Sequence, residues 1–207
     1  MTPEGVVYVV DDDSSVRRAF ARLIAAAGLN VETFPSARAF LHHRLADRPA
    51  CLVLDVRMPG ESGLDLQATL GDARRHLPII FVTGHGTVPT SVRAMKEGAV
   101  DFLQKPVDEQ ELLDRIQLAL TRSREARSAQ AEQADLQHRV DTLTAREREV
   151  LDLVVTGMLN KQIGDRLGVT EKTIKVHRGR VMQKMAAESV TDLVRMLHRL
   201  GRETSRT

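Results

Sequence analysis

A single cysteine, Cys51, stands among the 207 residues, so no disulfide can form within the chain. It lies inside an apolar run and reads as a small buried side chain, not as a redox group or metal ligand. No apolar run approaches the roughly 18 residues of a membrane-spanning helix. The opening residues also lack a basic flank followed by an apolar core. A cytoplasmic location without membrane contact is expected. Glycine and proline are missing from Arg122 to Asp141, so nothing there interrupts a helix. Acids are missing from Lys172 to Met185, which leaves that stretch basic throughout.

With 42% hydrophobic and 28% charged residues, the chain can bury one ordinary core and a second, smaller one. Charge is divided unevenly. From Leu143 onward 13 Lys/Arg face 8 Asp/Glu, and 17 face 20 before it, so net +5 follows net −3. The C-terminal part leans toward polyanions.

The first part is organised around Cys51-Leu52-Val53-Leu54-Asp55, an apolar run ending on a carboxylate and followed by Val56-Arg57-Met58-Pro59-Gly60. It reads as a buried strand with an acid at its carboxyl end. Val6 to Val10 is a similar run, stopped by Asp11-Asp12-Asp13, with Asp13 as N-cap of a helix that carries Val16, Phe20, Leu23 and Ile24 and closes at Gly28. Further strands are expected at Asn30 to Phe34, Ile79 to Thr83 and Phe102 to Lys105. Helices are expected after the Ser36 N-cap, at Leu64 to Leu70, at Val88 to Glu97 and from Glu109 to about Thr121. Five such β-then-α units with short loops imply a parallel sheet covered on both faces.

Right-handed crossovers bring the carboxyl ends of those strands to one rim, and with them Asp11, Asp12, Asp55, Thr83 and Lys105. Gathered carboxylates repel one another unless a cation joins them, and Mg²⁺ takes a few carboxylates together with waters and phosphate oxygens. Asp55 can act as the attacking carboxylate, with the Thr83 hydroxyl and the Lys105 ammonium meeting charge on a transferred phosphoryl group. Taken singly, each of these residues also fits a cap or a plain turn; their convergence carries the reading.

The motifs Val9-Val10-Asp11-Asp12-Asp13, Leu54-Asp55-Val56-Arg57-Met58-Pro59, Val82-Thr83-Gly84-His85-Gly86 and Gln104-Lys105-Pro106 resemble the receiver domain of two-component response regulators over about the first 120 residues. The resemblance implies a five-stranded sheet in the flavodoxin-like order 2-1-3-4-5. It implies a partner histidine kinase that phosphorylates Asp55, with Mg²⁺ held by Asp11, Asp12, Asp55 and the Arg57 carbonyl. It also implies a cis Lys105-Pro106 bond and a rotating aromatic switch at Phe102, which spacing alone would make a core residue. Arg57 and His85 flank the site and are candidates for setting the lifetime of the acyl phosphate. For the response to phosphorylation, Val92, Lys96 and Asp101 are expected to form a homodimer contact, Lys96 against Asp101 across a two-fold axis.

Arg122 to Asp141 reads as a solvent-washed linker helix with a thin stripe of Ala126, Ala134, Leu136 and Val140, so the expected division is 1–121, 122–142 and 143–207. In the last part Thr144 and Glu147 make a capping box, Asn160 caps a short helix, and Thr170 caps the helix from Glu171 to Met185. Two helices joined by a Gly-containing turn are a helix-turn-helix pattern. The second of them carries Lys172, Lys175, Arg178, Arg180 and Lys184, cations suited to the phosphates and base edges of a major groove. A final helix from Thr191 to Leu200 has apolar surface to spare for a second subunit.

Leu143-Thr144-Ala145-Arg146-Glu147-Arg148-Glu149-Val150-Leu151, Asn160-Lys161-Gln162-Ile163 and Thr173-Ile174-Lys175-Val176-His177 resemble the LuxR-type DNA-binding domain. The resemblance implies that Lys175 and Val176 face bases while Lys161, Thr173 and Arg180 touch the backbone. Gly179 departs from it, standing where relatives carry a side chain able to reach the groove, at a helix cost of ~1 kcal/mol relative to Ala. The whole chain resembles NarL/FixJ-class transcriptional regulators, with a sensor histidine kinase, double-stranded promoter DNA and RNA polymerase as expected partners. Two other classes compete. Asp11-Asp12-Asp13-Ser14-Ser15 also fits a phosphohydrolase, but the loops are too short for a cap domain. A receiver acting only through protein contacts leaves the basic helix without a role.

Overall fold

The computed structural model describes residues 5–71, 77–84 and 87–201. The chain forms two compact units, residues 1–128 and 129–207.

Alternation builds the first unit. Its elements are β1 (Val6–Val10), α1 (Ser14–Ala26), β2 (Asn30–Phe34), α2 (Ala37–Leu41), β3 (Ala50–Leu54), α3 (Gly63–Leu70), β4 (Ile79–Thr83), α4 (Val88–Lys96), β5 (Asp101–Gln104) and the start of α5 (Glu109–Asp141). The strands pair in parallel in the order β2-β1-β3-β4-β5. Successive side chains of a strand point to opposite faces, and here both faces are buried. Val6, Tyr8, Val10, Leu52, Leu54 and Phe81 pack with Phe40 of α2, Leu66 of α3 and Ala94 of α4. Val7, Val9, Val53, Ile80 and Val82 pack with Ile24 of α1 and with Leu112 and Ile116 of α5. Cys51 lies in this second layer, fully buried, as expected of a small core residue.

Local chemistry sets the helix starts. The Asp13 carboxylate accepts from the Ser15 N–H at 2.7 Å and opens α1. Ser62 and Asp65 exchange a capping box at the start of α3. Helix α5 departs from expectation: where a break near Thr121 was predicted, it runs unbroken for 33 residues. With neither Gly nor Pro along it, nothing ends the backbone hydrogen bonding. Nor is its distal half washed by solvent on every side, because Val140 is fully buried in the second unit's core. Earlier along α5, the buried Ser123 hydroxyl accepts from the Ala50 N–H at 3.1 Å, so packing against the sheet continues past residue 121.

The second unit adds α6 (Ala145–Val154), α7 (Asn160–Leu167), α8 (Glu171–Met185) and α9 (Val190–Arg199). Val150, Leu151, Val154, Ile163, Ile174, Val181, Met185, Leu193 and Leu197 form its core with Val140. The predicted Asn160 cap moves one residue: Leu159 is the N-cap of α7, and the Gln162 side chain accepts from the Leu159 N–H at 2.8 Å. Asn160 is otherwise engaged, its side-chain Oδ1 accepting from Arg178 on α8 at 3.0 Å.

One close approach in the first unit bears on the acidic rim. Gly63 opens α3 with its N–H donating to the Val56 carbonyl at 2.9 Å, and a Cβ there would overlap the Asp55 carbonyl oxygen. Gly63→Ala is expected to cost roughly 1–3 kcal/mol through overpacking and to displace Asp55. Thermal unfolding should show the loss of stability, and a crystal structure of the variant should show the displacement.

Candidate functional site

Parallel register produces the acidic rim. Val10 pairs with Leu54, so Asp11 and Asp55, each one residue further on, leave neighbouring strands at the same level. The Asp55 N–H donates to the Val10 carbonyl at 2.9 Å, which extends that pairing to the acid itself. Thr83 pairs with Gln104, and the Lys105 N–H donates to the Thr83 carbonyl at 2.8 Å. Asp11, Asp55 and Thr83 are buried, while Asp12 is exposed.

Lys105 closes the rim. Its ammonium donates to Asp11 Oδ2 at 2.6 Å and to Asp55 Oδ2 at 2.8 Å. Burial pushes the Asp11 carboxyl above its ordinary value despite the Lys105 and Asp13 donors. Burial works against the Lys105 ammonium as well, but the two carboxylates outweigh it and raise its pKa. The second Asp55 oxygen accepts from the Arg57 N–H at 3.1 Å. Asp11, Asp12 and Asp55 each offer an oxygen within 4.8 Å of the others. Three carboxylates around one ammonium leave an excess of negative charge in a partly dry site. All-oxygen donors of that kind suit a hard divalent cation that retains waters or phosphate oxygens.

The expected residues are thus largely brought together. Asp11, Asp12, Asp55 and Lys105 converge, Thr83 and Arg57 border them, and Lys105-Pro106 is cis. Phe102 is half-buried with its ring 6.1 Å from that of Phe81. His85 lies outside the described residues. Two contributors escaped the sequence reading. Arg17 donates to the Asp11 carbonyl at 2.6 Å and fixes the acidic turn. The buried Gln67 donates to the Ala94 and Glu97 carbonyls, both at 3.2 Å, and ties α3 to the end of α4. Arg17 follows the acids by one helical turn, a spacing that could have flagged it; nothing local flags Gln67.

On the second unit, Lys161, Lys172, Lys175, Val176 and Arg180 are exposed. Thr173 shares the N-terminal cap of α8 with Thr170, their hydroxyls 2.9 Å apart. Two cations expected to face DNA have partners within the unit. Lys184 turns inward, donating to Glu147 Oε2 at 2.6 Å and to the Thr142 carbonyl at 3.0 Å. Arg178 is held by Asn160, which links α7 to α8. Both pairings answer one need: a buried carboxylate and an inter-helix amide require partners. Asp101, predicted to meet Lys96 of a second copy, is likewise occupied, ion-paired with Arg115 of α5 at 2.7 Å.

An acidic rim closed by a lysine, followed in the chain by a helix-turn-helix with a basic outer face, defines a transcriptional response regulator. Comparison with known proteins agrees. Residues 7–117 match the response regulator receiver domain, and residues 141–197 match the bacterial regulatory proteins of the luxR family. Nodulation protein W of Bradyrhizobium diazoefficiens is 50% identical over 204 residues, covering 99% of this chain and 90% of that protein. The transcriptional regulatory protein FixJ of Azorhizobium caulinodans is 43% identical over 195 residues, covering 94% and 92%. The low-resolution structure of the response regulator StyR superposes with a TM-score of 0.86 at 47% identity, covering 94% of this chain and 98% of that one. The chain belongs to the two-component response regulators of the NarL/FixJ class. That class consists of transcriptional regulators, which removes the phosphohydrolase alternative. Among the described residues no helix is long and apolar enough to cross a membrane.

The inward turn of Lys184 has a consequence for stability. Its hydrogen bond, ahead of that from the Thr144 N–H, holds the Glu147 carboxyl below its ordinary value of 4.5. A carboxyl depressed in the folded state stabilises the fold above its unfolded pKa, and that contribution disappears as pH falls through the folded value. Glu147→Gln should cost the second unit roughly 2 kcal/mol at neutral pH. The gap between the two proteins should narrow on acidification to about pH 3, as followed by thermal unfolding of the helical signal.

Proposed function

We propose that this protein is a cytoplasmic regulator switched by phosphorylation of Asp55 by a sensor histidine kinase, and that the phosphorylated form dimerises on promoter DNA. The observation that carries the proposal is the Lys105 ammonium bridging Asp11 and Asp55 at the end of a parallel sheet. An Asp55 oxygen attacks phosphorus as the bond from phosphorus to the donor imidazole breaks, and the imidazole leaves. Lys105 then follows the charge onto a phosphoryl oxygen, with the Thr83 hydroxyl on another. Mg²⁺, held by Asp11, Asp12, Asp55 and the Arg57 carbonyl, would neutralise charge on the transferred group. Arg57 is also a candidate for setting how long the acyl phosphate lasts, and Phe102 for the side chain that moves as Thr83 is drawn inward.

On the second unit, the outward face of α8 is proposed to enter the major groove, with Lys175 and Val176 toward bases and Lys161, Lys172, Thr173 and Arg180 toward phosphates. DNA-bound dimers of this kind would recruit RNA polymerase. Beryllofluoride with Mg²⁺ should modify the natural protein, whereas EDTA or Asp55→Asn should prevent it. Lys105→Met should still bind Mg²⁺ but fail to convert to the activated form. After treatment with acetyl phosphate and Mg²⁺, a phosphoryl group on Asp11 or Asp13, detected by peptide mapping after borohydride trapping, would overturn the assignment.

Asp101 already has Arg115 as partner, so a Lys96–Asp101 pair between copies would have to displace it. Beside Lys96, Val88, Val92 and Met95 form an apolar stripe along α4, exposed by 77%, 46% and 45%. Apolar contact through this stripe is proposed to supply most of the association, and the charges its register. In sedimentation, the activated protein should dimerise and the unmodified protein remain monomeric. Val92→Glu should weaken the activated dimer more than Asp101→Lys does; the reverse order would restore the charge pair as the principal contact.

A further inference from the structure

The outward face of α8 carries a gap. Ile174, Val181 and Met185 are its buried positions. At about 100° per residue, Lys172, Val176, Gly179 and Gln183 lie on the opposite side, and all four are exposed. Gly179 is the member of this set without a side chain. Glycine inside a helix weakens it, and nothing among the described residues compensates at this position. The backbone there is ordinary right-handed helix, and a Cβ would meet nothing within 4 Å among the described residues. Gly63 is the contrasting case, where the Asp55 carbonyl leaves no room. A glycine that its own fold does not require, central on an outward face between Val176 and Gln183, is fitted to something that arrives from outside.

The chemistry of the gap narrows what arrives. In mid-helix the Gly179 N–H is committed to the backbone ladder, so the gap offers carbon and no donor to a phosphate. Val176, one turn earlier and 49% exposed, adds a second apolar wall. Thymine displays an apolar group in the major groove, its 5-methyl. We infer that Gly179 and Val176 form a recess for a thymine methyl group, which makes Gly179 a specificity-determining residue. The inference rests on the docking of α8 proposed above. A side chain at 179 would fill the recess and hold the helix backbone away from the base edges.

The test exchanges one methyl group for another. The full-length chain, activated with beryllofluoride and Mg²⁺, selects its sites from a random duplex library. Each thymine of the selected duplex is then replaced singly by deoxyuridine, which removes only the methyl. One replacement in each half-site should weaken binding roughly threefold to fivefold, the equivalent of one buried methyl group. Gly179→Ala should bind the thymine duplex less well and prefer the uracil duplex, its own methyl occupying the recess. The same variant should raise the unfolding midpoint of the second unit by about 4 °C, which separates lost affinity from lost folding. If Gly179→Ala binds the thymine duplex like the natural chain, or if no deoxyuridine replacement matters while binding stays steeply salt-dependent, the recess is overturned and the docking stands. Absent or salt-independent binding to duplex DNA would overturn the docking, and the recess with it.

Discussion

The first unit depends on one ammonium group shared by two buried carboxylates. Removing Asp11 and Asp55 from water carries a penalty that only nearby positive charge or donors can offset, and Lys105 supplies both at 2.6 and 2.8 Å. Geometry makes this arrangement possible because parallel strands end in register. Asp11 and Asp55 leave adjacent strands at one level, and Lys105 leaves the edge strand where its long side chain can reach both. The compensation is incomplete, since the exposed Asp12 adds a third carboxylate. A site left short of positive charge, with one oxygen of Asp55 already directed by the Arg57 N–H, has the donor set that a hard cation prefers.

How far this was legible in the sequence follows from the range of the interactions. Strands such as Val6–Val10 and Ala50–Leu54 are apolar at every position because both faces of the sheet are covered, and short apolar runs between Gly, Pro and acids are a local signal. Once a parallel order is accepted, the meeting of Asp11, Asp55 and Lys105 follows from topology without any contact being known. The length of α5 was also written locally, in the absence of Gly and Pro, but a change in composition near Thr121 obscured it. What was not legible depends on partners distant in the chain. Lys184 finds Glu147 across 37 residues and Gln67 finds the Glu97 carbonyl across 30. Asp101 meets Arg115 from the next helix. No periodicity encodes such pairs, and those of Lys184 and Asp101 engage side chains for which contacts outside the unit were expected.

The second unit shows what that means for reading a basic helix. By composition Lys172, Lys175, Arg178, Arg180 and Lys184 are one patch, yet the fold divides them. Lys184 lies in the last turn of α8, where the Glu147 carboxylate and the Thr142 carbonyl are within reach. Arg139 of α5 donates to the Met185 carbonyl at 3.0 Å and satisfies an orphan group at the same helix end. Arg178 binds Asn160 and sets α8 against α7. These three cations hold the helix in place, and Lys172, Lys175 and Arg180 remain exposed.

The division has a physical logic. A helix that is to read a groove must present a fixed face, because a side chain displaced by an ångström no longer meets a base edge. Arg139, Arg178 and Lys184, used as anchors, fix the azimuth at which Val176 and Gly179 face outward. Counting every lysine and arginine of α8 as a phosphate contact would overstate the salt dependence of binding, since only exposed cations release counterions from DNA. The exposed and anchored cations of α8 are distinguished by their partners, and in this chain those partners are Glu147 of α6, Asn160 of α7 and the Thr142 carbonyl rather than groups on α8 itself.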